Sequence, residues 1–199
     1  MDYSEYTFTR LKEEYDIVQQ STRIFQTIPI VSKTPSARLQ EDLTDAQTMP
    51  LYSEKAKSEA IIYPIIRELK KNNPQISVFS GYTFSINTQL TGAPDFLISA
   101  KPNLVEPQCP IFCLVESKNK SPEEGFAQCA AEMYAAQIFN KRMKEPDRTI
   151  FGTVTNGFDW IFLKLEENVV IVDIDRYYLN ELPKLLGIFQ YVIENVENI

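Results

Sequence analysis

A chain of 199 residues with 44% hydrophobic and 24% charged residues suits one globular domain; at that length it can bury roughly 70% of the surface its unfolded form exposes without covalent staples. Its net charge of −7 argues against a protein that coats nucleic acid by bulk electrostatics, although a local basic groove is compatible with it. The absence of histidine excludes Ser-His and Cys-His nucleophiles and the histidine general base, and three cysteines alone are too few for structural zinc.

Cys109, Cys113 and Cys129 form an odd set with no CxxC pair, which predicts reduced, packed thiols and a cytoplasmic chain. The opening MDYSEYTFTR is too polar and acidic for a signal peptide, and no apolar run approaches the ~18 residues of a spanning helix. No membrane partner is expected.

In chain order, a polar segment from about Tyr3 to Gln20 reads as helical, with Leu11, Tyr15 and Val18 on one side. RIFQTIPIV reads as extended and KTPSARLQEDLTDAQTMP as a loop, so residues 1–52 are taken as an N-terminal extension packing on the core. A dimerisation or regulatory arm is the alternative. From Ser53, a plausible N-cap, Ala56, Ala60, Ile61, Ile65 and Leu69 recur at helical spacing; Pro64 should kink this helix near Ala60, and Asn72, Asn73 and Pro74 end it. ISVFSGYTFSI and PDFLISA have strand character, separated by the turn-rich NTQLTGA. IFCLVE is a continuous apolar run ending in a charge, as a strand buried on both faces would be.

SPEEGFAQCAAEMYAAQIFNKR switches to helical periodicity, with Ser121 as N-cap, Pro122 at the first position and Glu124 completing a capping box. TIFGTVT, WIFLKLE and VVIVDID read as strands, the first two joined by a tight turn at Asn156-Gly157. The tail LNELPKLLGIFQYVIENV is predicted to be an amphipathic helix broken near Pro183 or Gly187. The order predicts an α/β fold with a mixed central sheet flanked by helices on both faces.

Chemistry concentrates at two strand ends. Asp95 opens the run FLIS, and Glu116 and Lys118 lie either side of Ser117 at the end of IFCLVE. In extended chain, residues i and i+2 share a face, so Glu116 and Lys118 project together, and a neighbouring Asp95 strand would add a second carboxylate. Two carboxylates are hard oxygen ligands for a divalent cation, and an adjacent lysine can orient water or offset charge on a phosphoryl group. An acid two residues before lysine is a weak pattern; it also occurs at Glu68-Leu69-Lys70, and a surface ion pair at a strand end would look the same.

The segments GAPDFLIS, CLVESKNKS and GFAQCAAEMYAA resemble the core of the PD-(D/E)XK nuclease superfamily, near the N-terminal nuclease domains of type I restriction subunits. The resemblance spans roughly residues 53 to 165. It implies a restriction-endonuclease-like αβββαβ core, with residues 53–199 forming the nuclease-like domain including its C-terminal helix. It also implies a catalytic set of Glu59, Asp95, Glu116, Lys118 and Gln128, with Asp95, Glu116 and Glu59 holding Mg²⁺ or Mn²⁺. Each added residue has a plainer reading: Glu59 as a partner of Lys55, Gln128 as a partner of Glu132, and Asn156 as a turn former. Lys120, Lys141, Arg142 and Lys144 form a basic cluster that either borders the site or complements a helix C-terminus.

The expected activity is metal-dependent hydrolysis of phosphodiesters, with DNA favoured over RNA and a homodimer as one way to cut both strands. The alternative is a nuclease-fold binding or complex subunit with little intrinsic cleavage, in which a protein partner supplies DNA binding. An acidic structural or inhibitory protein would explain the charge but not the three site residues.

Overall fold

In the computed structural model, which describes residues 1–197, the chain begins with a 3-10 turn at Tyr3–Glu5 and helix α1, Phe8–Tyr15. Asp16 adopts a left-handed conformation (φ 58°) that ends α1, its N–H reaching back to the carbonyls of Leu11 and Lys12. The predicted helix therefore stops short of Gln20. Val18 lies in strand β1, Val18–Thr22, because a left-handed cap reverses the chain where side-chain periodicity alone cannot. Arg23 to Val31, expected to be extended, contains a turn instead, with Ile28 N–H donating to Phe25 O.

The expected loop before residue 50 contains helix α2, Ala37–Ala46, capped by Ser36 Oγ, which accepts from Leu39 N–H. Leu39, Leu43 and Ala46 recur at i, i+4 and i+7 and face the core, a short apolar stripe diluted by polar neighbours.

Helix α3, Glu54–Lys57, continues through a π-turn at Ser58–Ile62 into α4, Tyr63–Asn72. The π-turn falls where Pro64 predicts a kink. Proline has no N–H to donate and its ring crowds the preceding turn; the wider turn, closed by Tyr63 N–H on Ser58 O, accommodates both.

The strands follow as β2 (Ser77–Ser80), β3 (Phe84–Ser85), β4 (Thr91–Gly92), β5 (Phe96–Ser99) and β6 (Ile111–Ser117). A 3-10 turn, Pro122–Gly125, leads into α5, Phe126–Arg142. Then come β7 (Ile150–Thr155), β8 (Asp159–Glu166), β9 (Val169–Asp173), β10 (Tyr177–Tyr178) and α6 (Leu182–Glu197). The capping box predicted at Ser121 does not form, since Pro122–Gly125 is a separate turn and Ser121 makes no side-chain cap. Helix α6 runs unbroken through Pro183 and Gly187. Pro183 sits in its first turn, where its missing N–H costs nothing, and Gly187 admits the Val31 carbonyl into the space a Cβ would fill.

The main sheet has the order β1-β9-β8-β7-β6-β5-β2, with β10 also paired to β8 and a separate β3-β4 ribbon. It is mixed: β6 and β7 run parallel, joined by the α5 crossover, as do β1 and β9, and the other pairs are antiparallel. All seven residues of β6 are buried, as the IFCLVE run predicted.

Two apolar clusters cover the sheet's faces. One gathers α2, α4 and α6 around Phe112, Trp160, Phe162 and Phe189. The other packs α1 and the small-residue face of α5 against Leu97, Leu114, Ile161 and Leu163. Residues 1–52 enter both clusters and supply the edge strand β1. Among the described residues no helix is long and apolar enough to cross a membrane. The three cysteines are free and buried, and burial pushes the Cys113 thiol up to about 12.

Candidate functional site

Antiparallel register brings the two strand ends together. Phe96 of β5 pairs with Val115 of β6, so the next step along the ladder puts Asp95 level with Glu116. Asp95 Oδ2 accepts from the Ser117 N–H at 2.7 Å and from the Ser117 hydroxyl at 2.6 Å. The Asp95 carboxylate thus fixes the end of β6 from which Glu116 and Lys118 project.

Glu116 and Lys118 emerge on the α5 side of the sheet. Lys118 Nζ donates to Glu116 Oε1 at 2.5 Å and to Gln128 Oε1, on the first turn of α5, at 2.9 Å. Gln128 Nε2 in turn donates to Glu132 Oε1 at 3.1 Å. Gln128 therefore makes the helical pairing with Glu132 and also reaches the lysine of β6. Gly125 makes the approach possible: a Cβ there would lie 2.6 Å from Val154 Cγ1 and 3.0 Å from Lys118 Cε.

The chain of contacts is incomplete at both carboxyls. Glu116 is 4% exposed and Glu132 0%, yet Glu116 Oε2 and Glu132 Oε2 have no hydrogen-bond partner. The two groups are close enough for a side-chain hydrogen bond between them, which requires a proton on one; with both ionised, neither unpartnered oxygen has a donor. Burial, reinforced by the Asp95 charge, pushes Glu116 up to about 7 despite its Lys118 partner. Burial, with the charge of Glu116 added, holds Glu132 well above the usual carboxylate range. At Lys118 burial works to lower the pKa, but Glu116, Glu54 and Glu132 outweigh it and the ammonium is held above its ordinary value.

Glu59 lies outside this cluster. It is exposed on the π-turn and faces Lys55 at 3.9 Å. Glu54, one helical turn earlier, is the acid of this helical segment whose charge reaches Lys118. The second acid-x-lysine pattern has a structural use: Glu68 accepts from Ser36 N–H and Oγ–H at 2.9 and 2.8 Å, anchoring the start of α2.

Asn156 Oδ1 accepts from the N–H groups of Phe158 and Asp159, and its Nδ2 donates to Lys120 O, so it shapes the β7–β8 turn and ties it to the segment after Lys118. Lys141, Arg142 and Lys144 stand at the far end of α5, with Arg142 about 21 Å along the helix from Gln128 at 1.5 Å per residue. Of the basic cluster, only Lys120 neighbours the site in the chain. Lys57, which donates to Asn119 O, is a rim cation that residue spacing alone does not single out.

Glu132 is the main addition to the residues expected from sequence. Its signal is a lone acid within the apolar run CAAEMYAA, one turn beyond Gln128. Among the described residues no three acidic, histidine or cysteine side chains form a group arranged to hold a metal ion. The donor chemistry nevertheless suits a hard divalent cation, since it offers carboxylate oxygens, two of them buried and unpartnered. No protein-family model matches the chain, and no curated protein matches it.

Proposed function

We propose that the protein is a metal-dependent nuclease of the PD-(D/E)XK type, hydrolysing phosphodiester bonds of DNA at the joined ends of β5 and β6. With the separate β3–β4 ribbon set aside, the order α4-β2-β5-β6-α5-β7 is compatible with an αβββαβ core. The observation that carries the reading is the Lys118 ammonium held between Glu116 and Gln128, beside a buried carboxylate oxygen that has no partner.

In this reading Asp95 and Glu116 hold Mg²⁺ or Mn²⁺, which when bound polarises the phosphoryl group and promotes ionisation of water. Lys118 offers its remaining N–H to the water or to a phosphate oxygen, where charge develops as the bond breaks. Gln128 fixes the ammonium's direction, and the hydrogen bonds from Ser117 to Asp95 fix the strand end beneath it. A magnesium ion that keeps several waters needs only one or two carboxylates, so a sparse ligand set is compatible with the chemistry.

The test is incubation of supercoiled plasmid and single-stranded DNA with Mn²⁺ or Mg²⁺. The expected result is metal-dependent cutting, with Lys118→Ala losing about 10²- to 10³-fold in rate, the usual loss on removing one charge-stabilising donor, while keeping a cooperative thermal transition. Intact DNA across substrates, metals and pH values would remove the hydrolytic reading. One set of observations favours the second reading, a nuclease-fold binding subunit: Asp95 is engaged with Ser117, the described residues hold no three-ligand metal group, and the net charge is −7. That protein would gain DNA contact from a partner and would leave DNA uncut alone.

A further inference from the structure

We infer that Glu132 is a further ligand of the divalent cation, so that the buried carboxylates of Glu116 and Glu132 would hold it together. The inference rests on the metal-dependent reading of this site and extends it to a helix residue outside the strand-end motif.

Glu132 lies on α5 among Cys129, Ala130, Ala131, Met133, Ala135 and Ala136, all buried. A carboxylate in such company is costly unless each oxygen is paired. Oε1 is paired with Gln128 Nε2, but Oε2 has no partner, and the same holds for Oε2 of Glu116 beside it. With both groups ionised neither unpartnered oxygen has a donor; a cation held by both carboxylates satisfies the pair where otherwise one of them must keep a proton.

The polar groups give a second observation: the carboxyls of Glu116 and Glu132 meet one ammonium, Lys118, and one amide, Gln128, and these two donors reach only one oxygen of each carboxyl. Chemistry selects the class: with only carboxylate and amide oxygens at hand, the site favours Mg²⁺ or Mn²⁺ over metals that prefer thiolate or imidazole.

Gln128 has a positioning role in this arrangement. Its carbonyl holds Lys118 and its amide holds Glu132 Oε1, so one side chain sets both the ammonium and the carboxylate that would face the ion.

The experiment is calorimetric titration of the metal-free full chain with MnCl₂, for wild type, Glu132→Gln, Glu132→Asp and Asp95→Asn, with melting curves in EDTA and plasmid cutting measured in parallel. The expected result is Mn²⁺ binding by wild type that weakens about 10-fold or more in Glu132→Gln, the range seen when groups around a metal are lost, with a smaller loss in Glu132→Asp. Glu132→Gln should melt in EDTA at or above the wild-type temperature, because its amide can donate to the Glu116 oxygen that lacks a partner. If it does not fold, Glu132→Asp decides: wild-type affinity there overturns the role. Mn²⁺ bound equally by Glu132→Gln and wild type overturns the inference; if Asp95→Asn then loses the ion and wild type still cuts, the nuclease reading stands without it. Absence of Mn²⁺ binding by wild type overturns the inference outright. Mn²⁺ binding that depends on Glu132, in a protein that cuts no DNA, upholds the inference and removes the hydrolytic reading.

Discussion

The two sides of the sheet treat buried acids differently. On the α4 and α6 side, Glu68 receives two hydrogen bonds from Ser36, and Asp173 receives them from Ile24 N–H, Asp175 N–H and the Tyr177 hydroxyl. These carboxylates anchor chain segments and their donors are in place. On the α5 side, Glu116 and Glu132 are as deeply buried but each leaves an oxygen unpaired. Structural acids are satisfied from within the chain, because an unpaired buried oxygen subtracts from stability. At the acids left unsatisfied beside a lysine, the pairing comes from a proton kept on one carboxyl or, on the reading proposed above, from a bound cation.

The sharpest way to probe the contrast is to damage the satisfied side. Phe162 packs there against Phe25, Tyr177 and Phe189 at ring separations of 5.1 to 5.6 Å. Phe162→Ala should cost about 3–5 kcal/mol, the usual penalty for emptying a buried aromatic position, read from urea denaturation. Mn²⁺ uptake by the folded fraction should be unchanged, and a specific loss of uptake would show that the two sides are coupled.

A smaller effect is expected from pH on the unsatisfied side. In the unfolded chain Glu116 loses its proton near the ordinary value of 4.5, whereas in the fold it keeps it to about 7. Across that interval the folded state binds more protons, so stability falls as pH rises from about 4.5 through about 7 and then levels off. Glu132 acts in the same direction. Melting in EDTA should thus be higher near pH 5.5 than near pH 8, and Glu116→Gln should narrow the gap by removing one titrating group. Equal pH dependence in the two proteins would assign the fall to the chain's general acidity instead.

How far this contrast is legible in the sequence depends on the kind of signal. Continuous apolar runs announce buried strands, so β6, β7 and β8 are legible, and the step from IFCLVE to a helical period marks the α5 crossover. The pairing of Asp95 with the end of β6 comes from a local ladder between neighbouring strands. Elements set by single caps are harder: α2 depends on Ser36 and a three-residue stripe, and the end of α1 depends on the left-handed Asp16. Hardest is the partner of a side chain across layers. Gln128 faces both Lys118 and Glu132, and nothing in helical spacing says that the acid one turn on is sealed from water. The same gap affects Glu59: its helix is correct, but the face it presents depends on the π-turn beneath it.

Glu59 provides the finest test, because the smallest effect is expected there. A π-turn inserts an extra residue into the helical repeat and rotates α3 relative to α4, so a glutamate counted onto an inner face from α4 need not lie there. In the structure its side chain is 69% exposed and its contact with Lys55 is 3.9 Å long, a surface pair in high dielectric. Glu59→Ala should change stability by less than about 0.5 kcal/mol, as surface substitutions commonly do, and leave Mn²⁺ affinity and DNA cutting at wild-type levels. Glu54→Gln should have the larger influence of the two on cutting, since the Glu54 charge reaches Lys118. Loss of Mn²⁺ binding in Glu59→Ala, with Glu54→Gln unaffected, would mean that the helix turns its π-segment inward when the ion binds, and the boundary between surface acid and site acid would have to be redrawn along that turn.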